Sequence, residues 1–355
     1  MLVRPTNGCR VAVELLSYKH RVADVGEAID YCFRQGWSDG LPVIPPTEER
    51  VLEMLGAGRV DPDKEIGFIA EREISITAEK VAINAVLAGC KPEYMPVVLA
   101  AIEGITDPAW AYHGPSTTTS GPAVLIIVNG PIARDLDINS GENLFGPGWR
   151  ANLTIGRAVR LVMRNVCGSL PMVLDRATHG HPGKLSYVIA ENELESPWTP
   201  MHVDLGFQAE QSTVTVLAAD GPRQIFNQLS ATTEGILTTM ADDMRISGGV
   251  IGQTYYIVLL AGEHMETVVR DGWSKTDVKR YLFENTMNNY AHLRRTQRFP
   301  MPLKPGDETR IRPLVSHEDM FFILPAGGKA GAFSSYIPGW AKASWSRMVT
   351  KEIKR

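Results

Sequence analysis

A-V-L-I-I-V-N-G-P-I-A-R-D-L, residues 123–136, reads as a buried strand, a Gly-Pro turn and the start of a helix. The strand is apolar without alternation, which a sheet covered on both faces requires. The order recurs in T-V-T-V-L-A-A-D-G-P-R-Q-I-F (213–226). It recurs again in Y-Y-I-V-L-L-A-G-E-H-M-E-T-V-V (255–269), with Glu263 in the proline's place. M-F-F-I-L-P-A-G-G-K-A-G (320–331) offers a fourth unit with a glycine-rich turn. Strand–turn–helix order predicts an α/β fold with a mixed or mostly parallel sheet built from these units. Their unequal spacing excludes a solenoid. They are either duplicated units or alike only through the shared chemistry of strand-to-helix turns.

Outward from these units the chain divides. Residues 1–21 read as a lead-in and 22–110 as a mainly helical region. Residues 111–345 form the α/β core, with duplicated halves 111–210 and 211–345 as one option, and 346–355 is a basic tail. From Val22, apolar residues at helical spacing run to Gly36, where the helix stops. Thr47 caps a second helix. Residues 77–105 give two helices broken at Lys91-Pro92, with Thr77 as N-cap. Ala151–Val166 is a helix with Arg157, Arg160 and Arg164 on one face. Residues 231–246 and 274–286 are helices, and Ser274 with Asp277 matches a capping box. The proline-rich stretch 293–313 reads as an extended connector. The aromatic end, 331–345, suits a packing or subunit surface.

Composition narrows the function classes. The 355 residues are 44% hydrophobic and 21% charged, with a net charge of −4, as in ordinary soluble globular proteins. No long basic run is present, so nucleic acid is not an expected partner. No apolar run approaches a membrane span, and the N-terminus lacks a signal-peptide core. Four well-separated cysteines suit reduced thiols in a cytoplasmic setting.

Titratable groups crowd D-R-A-T-H-G-H-P-G-K-L-S-Y-V-I-A-E-N-E, residues 175–193. His179 or His181 can act as acid/base near neutral pH, and Lys184 can stabilise a developing oxyanion. The H-x-H pair can also ligate a divalent metal, as a weak signal without further dense ligands. A structured connector with satisfied histidines is the plain alternative. Glu191 and Glu193 follow the strand at the end where α/β sheets bind ligands and can raise each other's pKa, and Glu191 joins His113, His179, His181 and Lys184 among the candidate catalytic residues. The loop 106–122 places His113 before the hydroxyl run Ser116, Thr117, Thr118, Thr119 and Ser120, suited to holding an anionic or carbonyl oxygen.

Further substrate contacts are expected from Trp37 and Asp39 in G-W-S-D-G-L-P-V-I-P-P-T. Others are expected from Asn143 and Arg150 around the glycine-rich loop, and from Gly328 and Lys329 in the A-G-G-K turn. No nucleotide-binding glycine motif and no nucleophile elbow are present, and the cofactor is left open. Cys167, at a helix C-terminus, reads as structural.

Three stretches together, G-W-S-D-G-L-P-V-I-P-P-T (36–47), H-G-H-P-G-K-L-S-Y-V-I-A-E-N-E (179–193) and D-G-W-S-K-T-D-V-K-R-Y-L (271–282), resemble an incompletely characterised bacterial family. Its members are similar to the large partner of small thiol or selenol proteins with a U/C-G-S-C motif. The resemblance spans most of residues 22–345. It implies a heteromeric enzyme whose partner supplies the reactive sulfur or selenium. This chain has Cys167-Gly168-Ser169 followed by Leu170, so it lacks that motif, and the family transfers no catalytic residues.

The expectation is therefore an oligomeric cytosolic lyase or hydrolase acting on a small polar, anionic substrate by histidine acid/base chemistry. The alternatives are a non-catalytic substrate-binding subunit of a thiol redox complex and a metal-dependent hydrolase using His179 and His181.

Overall fold

A computed structural model describes residues 14–247 and 254–354. The lead-in residues 1–13, with Cys9, lie outside the described residues. The first region carries helices α1 (Val25–Arg34), α2 (Glu48–Gly58), α3 (Ala78–Ala88) and α4 (Met95–Ile105). It also holds a hairpin, β1 (Glu65–Ile69) with β2 (Ile74–Thr77), that the helical reading omits. Thr47 caps α2 through its side chain, whereas Thr77 stands at the N-cap of α3 without a side-chain bond. Within the loop 106–122, a one-turn helix α5 (His113–Thr117) forms.

The core begins with β3 (Ala123–Asn129), α6 (Pro131–Asp135), α7 (Arg150–Asn165), β4 (Val188–Ala190), α8 (Met201–Asp204), β5 (Thr213–Ala219) and β6 (Arg223–Phe226). It continues with α9 (Thr233–Ile246), β7 (Tyr256–Leu260), α10 (Gly262–Arg270) and α11 (Lys275–Asn285). A short pair, β8 (Asn288–Asn289) and β9 (Ile311–Arg312), flanks α12 (Tyr290–Arg295), so the stretch read as an extended connector is partly ordered. The chain ends with β10 (Phe321–Pro325), β11 (Phe333–Pro338) and β12 (Val349–Glu352).

The strands build two mixed sheets, ordered β4-β3-β5-β12 and β10-β7-β11-β6. In each, one parallel pair is followed by two antiparallel pairings. Edge strands cross between them: β6 follows β5 in the chain but joins the second sheet, and β12 follows β11 but returns to the first.

Residue alternation sets the layers. On β3, Ile126 and Val128 pack with α2, α3, α4 and α7, while Ala123, Leu125 and Ile127 face the other way. There they meet Ile257, Leu259, Leu324 and Ile337 of the second sheet. The opposite face of that sheet, with Tyr256, Val258, Phe321 and Ile323, packs under α9, α10 and α11. The fold is thus α/β in four layers, helix–sheet–sheet–helix. Covering on both faces is why these strands read as unbroken apolar runs.

Two of the strand–turn–helix readings are corrected. After β5, Gly221-Pro222 leads to strand β6, and after β10 the glycine-rich turn leads to strand β11. Both segments find long-range pairing with each other, which local turn chemistry does not encode. The expected tail 346–355 is corrected in its described part, where Val349–Glu352 form β12 and pair antiparallel with β5. A boundary at 210/211 divides the first sheet, since β5 pairs with β3 along its whole length.

Candidate functional site

The carboxyl ends of the parallel pair β3 and β4 meet at the margin of the inter-sheet core. Asn129 continues the inward series of Leu125 and Ile127, and Glu191 continues that of Ile189. Thr213 stands opposite Asn129 in register. Alternation therefore turns three polar side chains toward the space between the sheets. The helix α8 adds His202, and the first residue of α11 adds Lys275 from the second half of the core.

Glu191 is 4% exposed, and Asn129, His202 and Thr213 are fully buried. Glu191 Oε2 accepts hydrogen bonds from Asn129 Nδ2 at 2.7 Å and from the Met201 backbone N–H at 2.8 Å. Its Oε1 lies 3.7 Å from Lys275 Nζ and has no hydrogen-bond partner among the described residues. Glu193 Oε1 accepts from the Gly130 N–H at 2.7 Å and from Asn129 Nδ2 at 3.0 Å, and stands 3.8 Å from His202 Nδ1. Gly130 is required here, with φ +84°: a Cβ would meet the Gln211 carbonyl oxygen at 2.2 Å. Lys275 Nζ also holds Asp204 at 2.8 Å.

Burial dominates the electrostatics. It pushes the Glu191 carboxyl up to about 7, against the opposing pull of Lys275 and the Met201 and Asn129 donors. Glu193 adds to the upward push, but only as a minor cause. Besides Glu191 Oε1, Asn129 Oδ1, Thr213 Oγ1 and both ring nitrogens of His202 lack partners among the described residues. Buried polar atoms are nearly always bonded, so such a concentration marks a place built to hold something polar. A buried acid that changes charge near neutrality beside a lysine is fit for proton transfer.

The stretch 175–184 lies at the opposite end of the first sheet. There it does meet the 113–120 loop: the Thr178 N–H donates to the Thr119 carbonyl at 2.8 Å. Lys184 Nζ bonds both oxygens of Asp175, at 2.7 and 2.8 Å, and Arg160 holds the same carboxylate at 2.6 Å. His181 is committed on both sides. Its Nδ1 accepts from Gly183 N–H at 3.2 Å, and its Nε2 faces the Ala219 carbonyl at 3.2 Å. Burial, together with Lys184, lowers its pKa. It therefore braces the turn rather than offering a free nitrogen. His113 and His179 are exposed. Among the described residues no third ligand joins the H-x-H pair in a metal-binding group.

The other expected contacts serve the scaffold. Trp37 packs edge-on to Tyr31, and Asp39 is held by Arg157 through two bonds of 2.7 and 2.8 Å. Ser116 accepts from Arg72 at 2.7 Å, and Thr117 donates to the His113 carbonyl at 2.8 Å. Thr118 accepts from the Ser120 N–H at 3.2 Å, a local turn bond. Asn143 closes its own turn on the Pro147 carbonyl at 2.9 Å. Arg150 caps the Gly89 carbonyl and borders a cavity of about 250 Å³ with Arg50 and Lys91. Gly328 abuts Glu142, and Lys329 pairs with Glu195 at the surface. These two follow the carboxyl end of β10, whose Pro325 carbonyl accepts from the Asn192 N–H at 2.8 Å. The bases on the arginine face of α7 are thus braces to Asp39, Asp175 and the Gly36 carbonyl.

Of the expected catalytic residues only Glu191 sits in the buried cluster. Asn129, His202, Thr213 and Lys275 escaped sequence reading. The signal for Asn129 was present: a polar residue ending an apolar strand on its inward parity. No known family model, curated protein or solved structure matches the chain.

Proposed function

We propose that the chain is an enzyme of the lyase or hydrolase type that moves a proton on a small polar molecule held between the two sheets. The supporting observation is Glu191, a buried carboxyl poised to titrate near 7 in a cluster with His202, a fully buried histidine whose ring nitrogens have no hydrogen-bond partner among the described residues. In this reading Glu191 gives and takes the proton. Lys275 balances a substrate carboxylate or developing oxyanion. Asn129, Thr213 and His202 orient the bound molecule. The substrate reaches them from the side of Glu193, Asp204 and Lys275, the cluster members that touch solvent. Acid–base chemistry thus moves from the expected histidines to the strand-terminal glutamate.

Two further expectations belong to this reading. Cys32, Cys90 and Cys167 are buried and free, with burial pushing Cys90 up to about 12 and Cys167 to about 11. These three thiols are too unreactive to supply sulfur chemistry, so in this reading any sulfur or selenium chemistry comes from the small thiol or selenol partner that the resemblance implies. The shared pairing pattern of the two sheets supports an origin by duplication with exchanged edge strands.

Turnover of small hydroxy-, amino- and acyl-carboxylates by wild type and Glu191→Gln tests the assignment. The substitution should lower the rate by about 10²-fold or more while keeping the fold. A Glu191→Gln chain matching the wild-type rate on the same substrate would overturn it.

A further inference from the structure

At the far end of the first sheet, Trp110, Ser116, Arg160, Asp175, Lys184 and Tyr187 line a cavity of about 20 Å³. That is room for a single small occupant. Two cations share a single carboxylate on its wall: Asp175 takes Arg160 at 2.6 Å and Lys184 at 2.7 Å. One positive charge is left over. These side chains are only 18%, 9% and 19% exposed for Arg160, Asp175 and Lys184, so solvent neutralises little of it. Lys184 gives Asp175 two bonds and retains a third N–H, and the Arg160 guanidinium retains donors beyond the one it gives Asp175.

A second, independent feature points the same way. Trp110 is fully buried, and its indole Nε1–H has no acceptor among the described residues. An indole N–H can only donate. Trp110 lines the cavity beside the two cations, and a small space among unpaired donors and a surplus positive charge selects an acceptor that is negative.

We propose that this cavity binds a small monovalent anion of chloride or formate size, at a site separate from the Glu191 cluster. The indole N–H of Trp110, the third Lys184 N–H and the free Arg160 donors supply its bonds. A sulfate or a larger organic anion exceeds the space. The site does not rest on the chemistry assigned to Glu191.

Thermal unfolding of the full chain at constant ionic strength tests it, with chloride or formate exchanged against gluconate. The wild-type midpoint should rise with chloride or formate along a saturating curve. Lys184→Met leaves Arg160 and Asp175 as a balanced pair and should weaken the apparent Kd at least tenfold. Trp110→Phe removes the indole donor and should do the same. A wild-type midpoint equal in chloride, formate and gluconate overturns the proposal, as does a Trp110→Phe chain that titrates like wild type. Should the variants fail to fold, chloride-35 linewidths on the wild type decide. Excess broadening removed by formate but not by gluconate supports the site, and no such broadening refutes it.

Discussion

Glu191 shows how much a single residue's position can decide. At its place in the sequence it is one of two glutamates after a strand, and mutual repulsion is the obvious reason for a raised pKa. The structure assigns the rise chiefly to burial, with Glu193 the smallest contributor. The consequence for stability has a definite sign. The folded carboxyl titrates near 7 and the unfolded one near 4.5, so between these values the folded state binds more protons. Stability from this group is therefore complete below about 4.5 and is lost as pH rises toward 7, by roughly 3 kcal/mol at most. Asp220, pushed up to about 6 by burial, tilts the profile the same way. Denaturant unfolding of Glu191→Gln from pH 4.5 to 8 should give a flatter profile than wild type, with the Asp220 contribution and the opposing one of His181, whose lowered pKa makes stability rise with pH, still present. Parallel profiles would show that Glu191 titrates alike in both states. The histidines were legible as residue types, but not their bonds. Nothing in H-G-H-P-G-K announces that His181 is occupied by Gly183 and the Ala219 carbonyl.

At the scale of elements, local chemistry was informative wherever it acts locally. Thr47 and the Ser274–Asp277 box cap their helices as read. The apolar strands β3, β5 and β7 fall where the sequence puts them. Strands defined by distant partners were missed. R-Q-I-F at 223–226 and V-T-K-E at 349–352 carry little apolar pattern, and each becomes a strand by adding to an edge laid down elsewhere. β12 covers one edge of the first sheet and brings Val349 and Ile353 into its helical-face core. Removing residues 346–355 should cost roughly 3–6 kcal/mol from those two side chains and expose the β5 edge to self-association. Calorimetry and light scattering of the shortened chain would show a lowered midpoint and larger particles. An unchanged midpoint would mean that the segment is dispensable.

For the whole molecule, the α/β class could be read from four similar segments. The stacking of two sheets could not, because apolar runs look alike whether helices or a second sheet cover them. That stacking places Lys275, from the second half, beside Glu191 of the first. β6 and β12, which cross between the sheets, fasten together the two sheets that form this site. Function on this account depends on both halves meeting around one proton. Carbon-detected NMR titration of the Glu191 side-chain carboxyl, assigned by its loss in Glu191→Gln, measures this most directly. The account predicts a midpoint near 7 in the wild type and a higher one in Lys275→Met, since Lys275 pulls the value down. A wild-type midpoint near 4.5, or one indifferent to Lys275, would contradict it.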